Sequence, residues 1–200
     1  ADFNAKNKDR MATQKKREVQ SKLQQQILEK LIEENQFEVP KALIEDQKIV
    51  ADTTKDVLKM VVYNRYFNAP PKIAFIKNFG FKHGAIASTV AHDSHNIIAV
   101  GVDDSSIVQA INLVIEQKGG ISCVNNKEQK VLGLPVAGLM SAEEPYMVAQ
   151  AYTEIDQMAK ALGTALGSPF MTLSFMALLV IPHLKLSDKG LFDGDGFKLF

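Results

Sequence analysis

Two hydrophobic rhythms divide the chain. In the first segment apolar residues recur every four positions, at Val19, Leu23, Ile27 and Leu31, with Leu28 and Ile32 widening the stripe. That spacing lines side chains along one face of an α-helix. Lys16, Arg17, Lys22, Gln24, Gln25 and Lys30 occupy the other face, as a solvated helix surface requires. Residues 1–10 are polar, and Asn35 can end the helix. Val39-Pro40 reads as the start of a second helix, because proline suits a first helical turn. The stripe predicts either packing on a neighbouring element or an apolar face held open for a protein partner. In the second case Val19, Leu23, Ile27 and Leu31 are the contact residues.

Beyond about residue 50 the rhythm changes to short apolar runs separated by turns. Leu58–Tyr66, Ile73–Phe79, Gly84–Val90, Ile97–Val102, Ile121–Val124 and Val131–Val136 read as strands. Asn125-Asn126-Lys127-Glu128 joins the last two as a hairpin signal. A helix is expected after Asp103-Asp104, where a carboxylate can accept from unpaired N–H groups. Its apolar positions are Ile107, Ile111, Val114 and Ile115, and Gly119-Gly120 should stop it. Ser141 with Glu144 has capping-box spacing and predicts a long helix to about Leu162, with Pro145 early enough to be tolerated. Phe170–Ile181 is almost wholly apolar but only 12 residues long, which predicts a buried core element and not a membrane span. Asp188–Phe200 reads as a turn-rich tail. The expected fold class is therefore α/β (α+β): a mixed sheet with packed helices over residues 51–200, preceded by a helical arm over residues 1–50.

Composition sharpens this division. All 12 glycines lie at Gly80 or later, and residues 1–50 hold a single proline. The charge balance of 23 basic against 23 acidic side chains argues against an electrostatic grip on nucleic acid or an anionic membrane. A single cysteine, Cys123, excludes a disulfide framework and a Cys-rich zinc module. No 18-residue apolar run and no basic start followed by an apolar stretch are present, so a cytoplasmic setting is expected. The chain opens on Ala1, a start compatible with processing or trimming.

The densest polar cluster between apolar runs is His92-Asp93-Ser94-His95-Asn96. Two imidazoles, a carboxylate, a hydroxyl and an amide could orient a substrate or relay a proton. The same residues also suit a turn in which Asp93 and Asn96 bond local backbone. A catalytic metal usually needs three protein ligands, and His83 and His183 are distant in sequence. Ser94 lacks the Gly-x-Ser-x-Gly elbow. Cys123 falls inside an expected strand, where a cysteine acts as a small buried hydrophobe. No glycine-rich phosphate loop occurs. Arg65 is the only arginine after residue 50, and either a structural ion pair or a contact with an anion or partner would explain it.

The second segment resembles the C-terminal domain of bacterial adenine deaminases. The strongest stretch is Val90-Ala91-His92-Asp93-Ser94-His95-Asn96-Ile97-Ile98-Ala99-Val100-Gly101. Leu134-Pro135-Val136-Ala137-Gly138-Leu139-Met140-Ser141 and Leu184-Lys185-Leu186-Ser187-Asp188-Lys189-Gly190 extend it in consistent order. The resemblance implies a metal-dependent aminohydrolase family that converts adenine and water to hypoxanthine and ammonia in purine salvage. It implies iron or manganese held in a preceding (β/α)8 barrel that begins with a His-x-His ligand pair. No His-x-His occurs here, and residues 1–50 cannot hold such a barrel, so no cofactor is expected in this chain. By the same resemblance His92, Asp93, Ser94, His95 and Asn96 would face the substrate side of the barrel.

Residues 18–47 carry a second resemblance. Ile27-Leu28-Glu29-Lys30-Leu31-Ile32 and Phe37-Glu38-Val39-Pro40-Lys41-Ala42-Leu43-Ile44 are similar to the helical C-terminal chaperone domain of trigger factor. The chain thus reads as chimeric. The expectation is an adenine-deaminase-related domain, non-catalytic alone. The alternatives are a protein-binding module acting through its helical arm or an exposed apolar interface, and an independent hydrolase using the His92–Asn96 loop. A homodimer or a heteromeric protein partner is expected, with neither nucleic acid nor membrane.

Overall fold

A computed structural model describes residues 50–200, together with the backbone of two short strands, β1 (Ile44–Glu45) and β2 (Lys48–Ile49). The described residues belong to one compact unit, Ala42–Phe200. The expected helical arm, with Val19, Leu23, Ile27 and Leu31, lies outside the described residues. Strands β1 and β2 pair antiparallel, Ile44 opposite Ile49, so a hairpin stands where continuation of the second helix was expected.

A six-stranded sheet forms the centre of this unit. Its strands are β3 (Val57–Tyr63), β4 (Lys72–Lys77), β5 (Ala85–Ser88), β6 (Ile97–Gly101), β7 (Gly120–Val124) and β8 (Gln129–Gly133). They lie in the order β4-β3-β6-β5-β7-β8, and every pairing is antiparallel. Two helices follow the expected pattern, α1 (Asp104–Glu116) and α2 (Pro145–Ala161), and the run read as a buried core element begins as a third, α3 (Pro169–Phe175). The fold is α+β.

The central strands are apolar throughout because both faces of the sheet are covered. All residues of β5, β6 and β7 are buried. Alternation sorts them by face. Ala85, Ala87, Ala99 and Val124 meet Ile107, Ala110 and Val114 of α1. The alanines leave room for the helix to lie close. Ile86, Ile98, Val100 and Cys123 point the other way, onto Ile155 and Leu162 at α2 and Phe170 and Leu173 on α3. Phe79 and Phe81 add an edge-to-face pair at 5.0 Å to that larger core. Each fully buried leucine or isoleucine here contributes about 1.5–3 kcal/mol of apolar burial.

The ends of the helices depart from expectation in instructive ways. Asp103 caps α1 as anticipated, its carboxylate accepting from the Ser106 N–H at 2.8 Å. At the other end Lys118 N–H donates to Ile115 O and Gly119 N–H to Val114 O, both at 2.9 Å. That is a Schellman motif with the left-handed residue at Lys118 (φ +59°), one position before the expected glycine stop. In α2 the cap is not the Ser141–Glu144 box. Glu144 itself accepts from Tyr146 N–H at 2.9 Å and Met147 N–H at 3.2 Å, while Ser141 Oγ serves the Glu143 N–H. A carboxylate directly before Pro145 reaches the open N–H groups more readily than a hydroxyl three residues earlier.

Phe170–Ile181 is buried at Phe170, Leu173, Ser174 and Ala177 but open elsewhere. Helix α3 ends at Phe175, and Val180 beyond it is 71% exposed. The turn-rich tail contributes β10 (Gly190–Asp193) and β11 (Lys198–Leu199) to a small antiparallel sheet with β9 (Leu184–Ser187), in the order β11-β10-β9. Within it Leu186 is fully buried in the larger core. No described helix is long and apolar enough to cross a membrane.

Candidate functional site

The His92–Asn96 segment joins β5 to β6, two buried neighbours in the middle of the sheet. It therefore projects from the sheet's end on a rigid base. Asn96 is 2% exposed, and its Oδ1 accepts from the Arg65 N–H at 3.3 Å. Asp93 and Ser94 are exposed. His92 and His95 are half-buried, their ring centroids 6.1 Å apart. The His92 ring also lies 5.4 Å from the ring of Phe175. His95 takes a left-handed backbone (φ +51°), its N–H bonded to Ala91 O at 2.7 Å. Its Nδ1 is enclosed without a hydrogen-bond partner among the described residues. The loop is thus half anchored turn and half open surface, with Asp93 and Ser94 as its outward chemistry.

Beside this loop lies a cleft of about 650 Å³, which sequence reasoning did not anticipate. The end of β3 and the residues after it form one wall, through Tyr63, Arg65, Tyr66 and Phe67. Lys118 and Gly119, past α1, and Ala137-Gly138 close the other side, with Thr89 at its base. Arg65 organises this region. Its Nη2 donates to Ala137 O at 2.5 Å and to Tyr66 Oη at 3.1 Å. Its guanidinium carbon stands 4.9 Å from the centre of the Tyr66 ring, a cation–π placement. Tyr66 O–H in turn donates to Ser94 O at 3.1 Å. One residue pair thereby connects the cleft to the histidine loop.

Glycine makes the arrangement possible. Gly138 (φ +75°) lies so close under Arg65 that a Cβ would overlap the guanidinium, and a Cβ on Gly119 (φ +128°) would overlap Gly138. Thr89 ties the same turn to the sheet. Its Oγ1 donates to Gly138 O at 2.6 Å and accepts from the Gly120 N–H at 2.8 Å. Of the two explanations for Arg65, an ion pair does not hold among the described residues, where its partners are a carbonyl and a phenol.

Neither of the other nucleophilic or metal candidates assembles a site. Cys123 is buried, and burial pushes its thiol up to about 12 from an ordinary value near 9.0, so it is not a nucleophile at neutral pH. Among the described residues no three His, Cys, Asp or Glu side chains come close enough to hold a metal ion. His183 pairs instead with Asp195 at 2.5 Å on the surface. The described residues therefore offer no ligand set for the iron or manganese that the family resemblance places in a preceding barrel.

Two family models match the chain. The family model of the adenine deaminase C-terminal domain matches residues 31–198. That of the bacterial trigger factor C-terminus matches residues 1–56, so the two overlap. An adenine deaminase of Sulfurovum sp. (strain NBC37-1) is 54% identical over 160 residues, covering 78% of this chain and 30% of the relative. One from Methanosarcina acetivorans is 55% identical over 155 residues, covering 78% and 28%. One from Borreliella burgdorferi is 46% identical over 169 residues, covering 82% and 31%. The chain spans about 30% of the length of the relatives it matches.

Proposed function

Because this chain belongs to the adenine deaminase C-terminal domain family, we propose that it is the substrate-side part of such an enzyme and does no catalysis by itself. In this reading residues 51–200 present the rim bearing His92, Asp93, Ser94, His95 and Asn96 to a separate, metal-bearing part. The reaction served is the family's, adenine plus water to hypoxanthine plus ammonia. The metal would supply an activated water there. This chain's residues hold and orient. The Arg65–Tyr66–Asn96 framework fixes the loop, leaving the Asp93 carboxylate and the Ser94 hydroxyl open to a ligand. The observation that carries the reading is the 54% identity to an adenine deaminase over 160 residues.

The test is adenine turnover, followed as loss of adenine absorbance. The chain with Mn²⁺ or Fe²⁺ should leave adenine unchanged. Mixed with the separately expressed remainder of the Sulfurovum relative, it should restore turnover, and the double change Asp93→Ala with Ser94→Ala should lower the restored rate. Turnover by the chain alone, or no restoration by the mixture, refutes the proposal.

The trigger factor match over residues 1–56 favours a second reading for the arm. There Val19, Leu23, Ile27 and Leu31 hold a protein partner, either a second copy or another chain. Light scattering should then show a species larger than a monomer, or a pulldown should recover a complex that polar replacements at those four positions abolish. A monomer that captures nothing refutes it.

A further inference from the structure

The cleft beside the histidine loop carries two cations with no acid among the described residues that line it. Arg65 and Lys118 line it, and its described lining contains neither Asp nor Glu. Among the described residues no carboxylate pairs with either one. The nearest acid by bonding, Asp188, accepts the side-chain amide of Asn64 at 2.7 Å. Arg65 is not a loose surface arginine. The Ala137 carbonyl, the Tyr66 ring and Gly138, which has no side chain, hold its guanidinium in one place. Its Nε is enclosed and lacks a hydrogen-bond partner. A fixed guanidinium without a counter-charge attracts an anion, and the N–H groups its protein partners leave free can donate to phosphate oxygens.

Backbone conformation supports the same reading. Ala137, which is not glycine, takes a left-handed φ of +58° and lines the cleft. Such conformations cost free energy and persist where the surrounding structure enforces them, which is common at ligand sites. Aromatic side chains complete the cleft. Tyr63, Tyr66 and Phe67 line it, and the latter two are 54% and 75% exposed. Exposed aromatic faces stack on nucleobases. Asn68, also exposed at the rim, offers both a donor and an acceptor to a base edge. The volume of about 650 Å³ lies within the range of small-ligand sites.

The geometry points to a nucleotide site: a nucleoside monophosphate with its phosphate between Arg65 and Lys118 and its base against Tyr66 and Phe67. Arg65 and Tyr66 also brace the rim of the proposed deaminase reading, but the site does not depend on that reading. Isothermal titration of the full chain with AMP and UMP, and with adenosine and inorganic phosphate as fragments, tests it without any catalytic partner. A nucleoside monophosphate should bind with a dissociation constant between about 10 μM and 1 mM. Adenosine and inorganic phosphate should each bind at least about tenfold more weakly, since each supplies half of the contacts. Two exposed side chains serve as variants that leave the Arg65 framework intact. Lys118→Glu should weaken binding about tenfold by reversing a charge at the phosphate. Phe67→Ala should weaken it by about fivefold to tenfold through lost stacking, with circular dichroism unchanged in both. Absence of saturable binding below about 10 mM refutes the site. Phosphate binding as tight as AMP binding, or AMP binding indifferent to both variants, refutes the assignment to a nucleotide.

Discussion

Replacing Gly138 by alanine is the sharpest perturbation of the region around the cleft. The new methyl would overlap the Arg65 guanidinium, and the residue would keep φ at +75°, where an L side chain is strained. The backbone contribution is about 1–2 kcal/mol. Displacing Arg65 removes its donations to Ala137 O and Tyr66 Oη, about 0.5–1.5 kcal/mol each. The total is a loss of about 2–5 kcal/mol, or roughly 5–15 °C in melting temperature for a chain of this size. Gly167→Ala is the matched control. A Cβ there meets nothing within 4 Å, so it should stabilise by about 0.4–1 kcal/mol through the unfolded chain. Urea titrations of both variants, followed by far-ultraviolet circular dichroism, yield the two free energies directly. With four tyrosines and no tryptophan in the chain, tyrosine fluorescence gives a second signal sensitive to Tyr66. If Gly138→Ala proved as stable as Gly167→Ala, Arg65 would not be held as described.

Lys118→Gly should raise stability by about 0.5–1 kcal/mol, because relief of the left-handed strain exceeds glycine's added unfolded-state entropy. The same variant should bind AMP more weakly, and an unchanged melting temperature would refute the strain argument. Asn96→Ala should cost about 1–3 kcal/mol by stranding the Arg65 N–H, whereas exposed Asp93→Ala should shift stability by less than about 0.5 kcal/mol; equal effects would undo the division of the loop into anchored and open halves. For Cys123 the sign follows from its raised value: between about 9.0 and 12 the folded chain holds a proton that the unfolded chain has lost, so stability falls as pH rises through that window. Cys123→Ala should flatten that fall in denaturant titrations. Thiol labelling at pH 8 should proceed only in unfolding concentrations of urea, and rapid labelling of the native chain would show that the thiol is not enclosed.

Much of the fold was legible because both faces of the sheet are covered. Strands such as Ile97–Gly101 must then be apolar throughout, and such runs stand out between glycine and asparagine turns. The hairpin around Asn125–Glu128 and the Asp103 cap were local signals and formed where expected. The errors also have local causes. Several capping residues compete before Pro145, and a carboxylate outreached a hydroxyl. Strands of two to four residues leave too short a pattern to read, so a small sheet stands where the sequence suggests turns. The His92–Asn96 cluster was visible as polarity between apolar runs. The cleft was not, because Arg65, Lys118 and Ala137 come together only through the sheet order. The one available signal was Arg65 as the lone arginine after residue 50.

The outer strand β4 has a bearing on solubility. It is the last strand on its side of the sheet, and its sequence Lys72–Lys77 begins and ends with lysine, just after Pro70-Pro71. An exposed strand edge invites another chain to add itself by backbone hydrogen bonding, and flanking lysines and prolines oppose that. Two copies brought together along this edge in antiparallel register would set ammonium groups at both ends of the new seam, with proline removing backbone donors beside it. At high protein concentration the sheet should therefore not grow strand by strand into ribbons, and exchange of Lys72 and Lys77 for threonine should turn this quiet margin into an aggregating one.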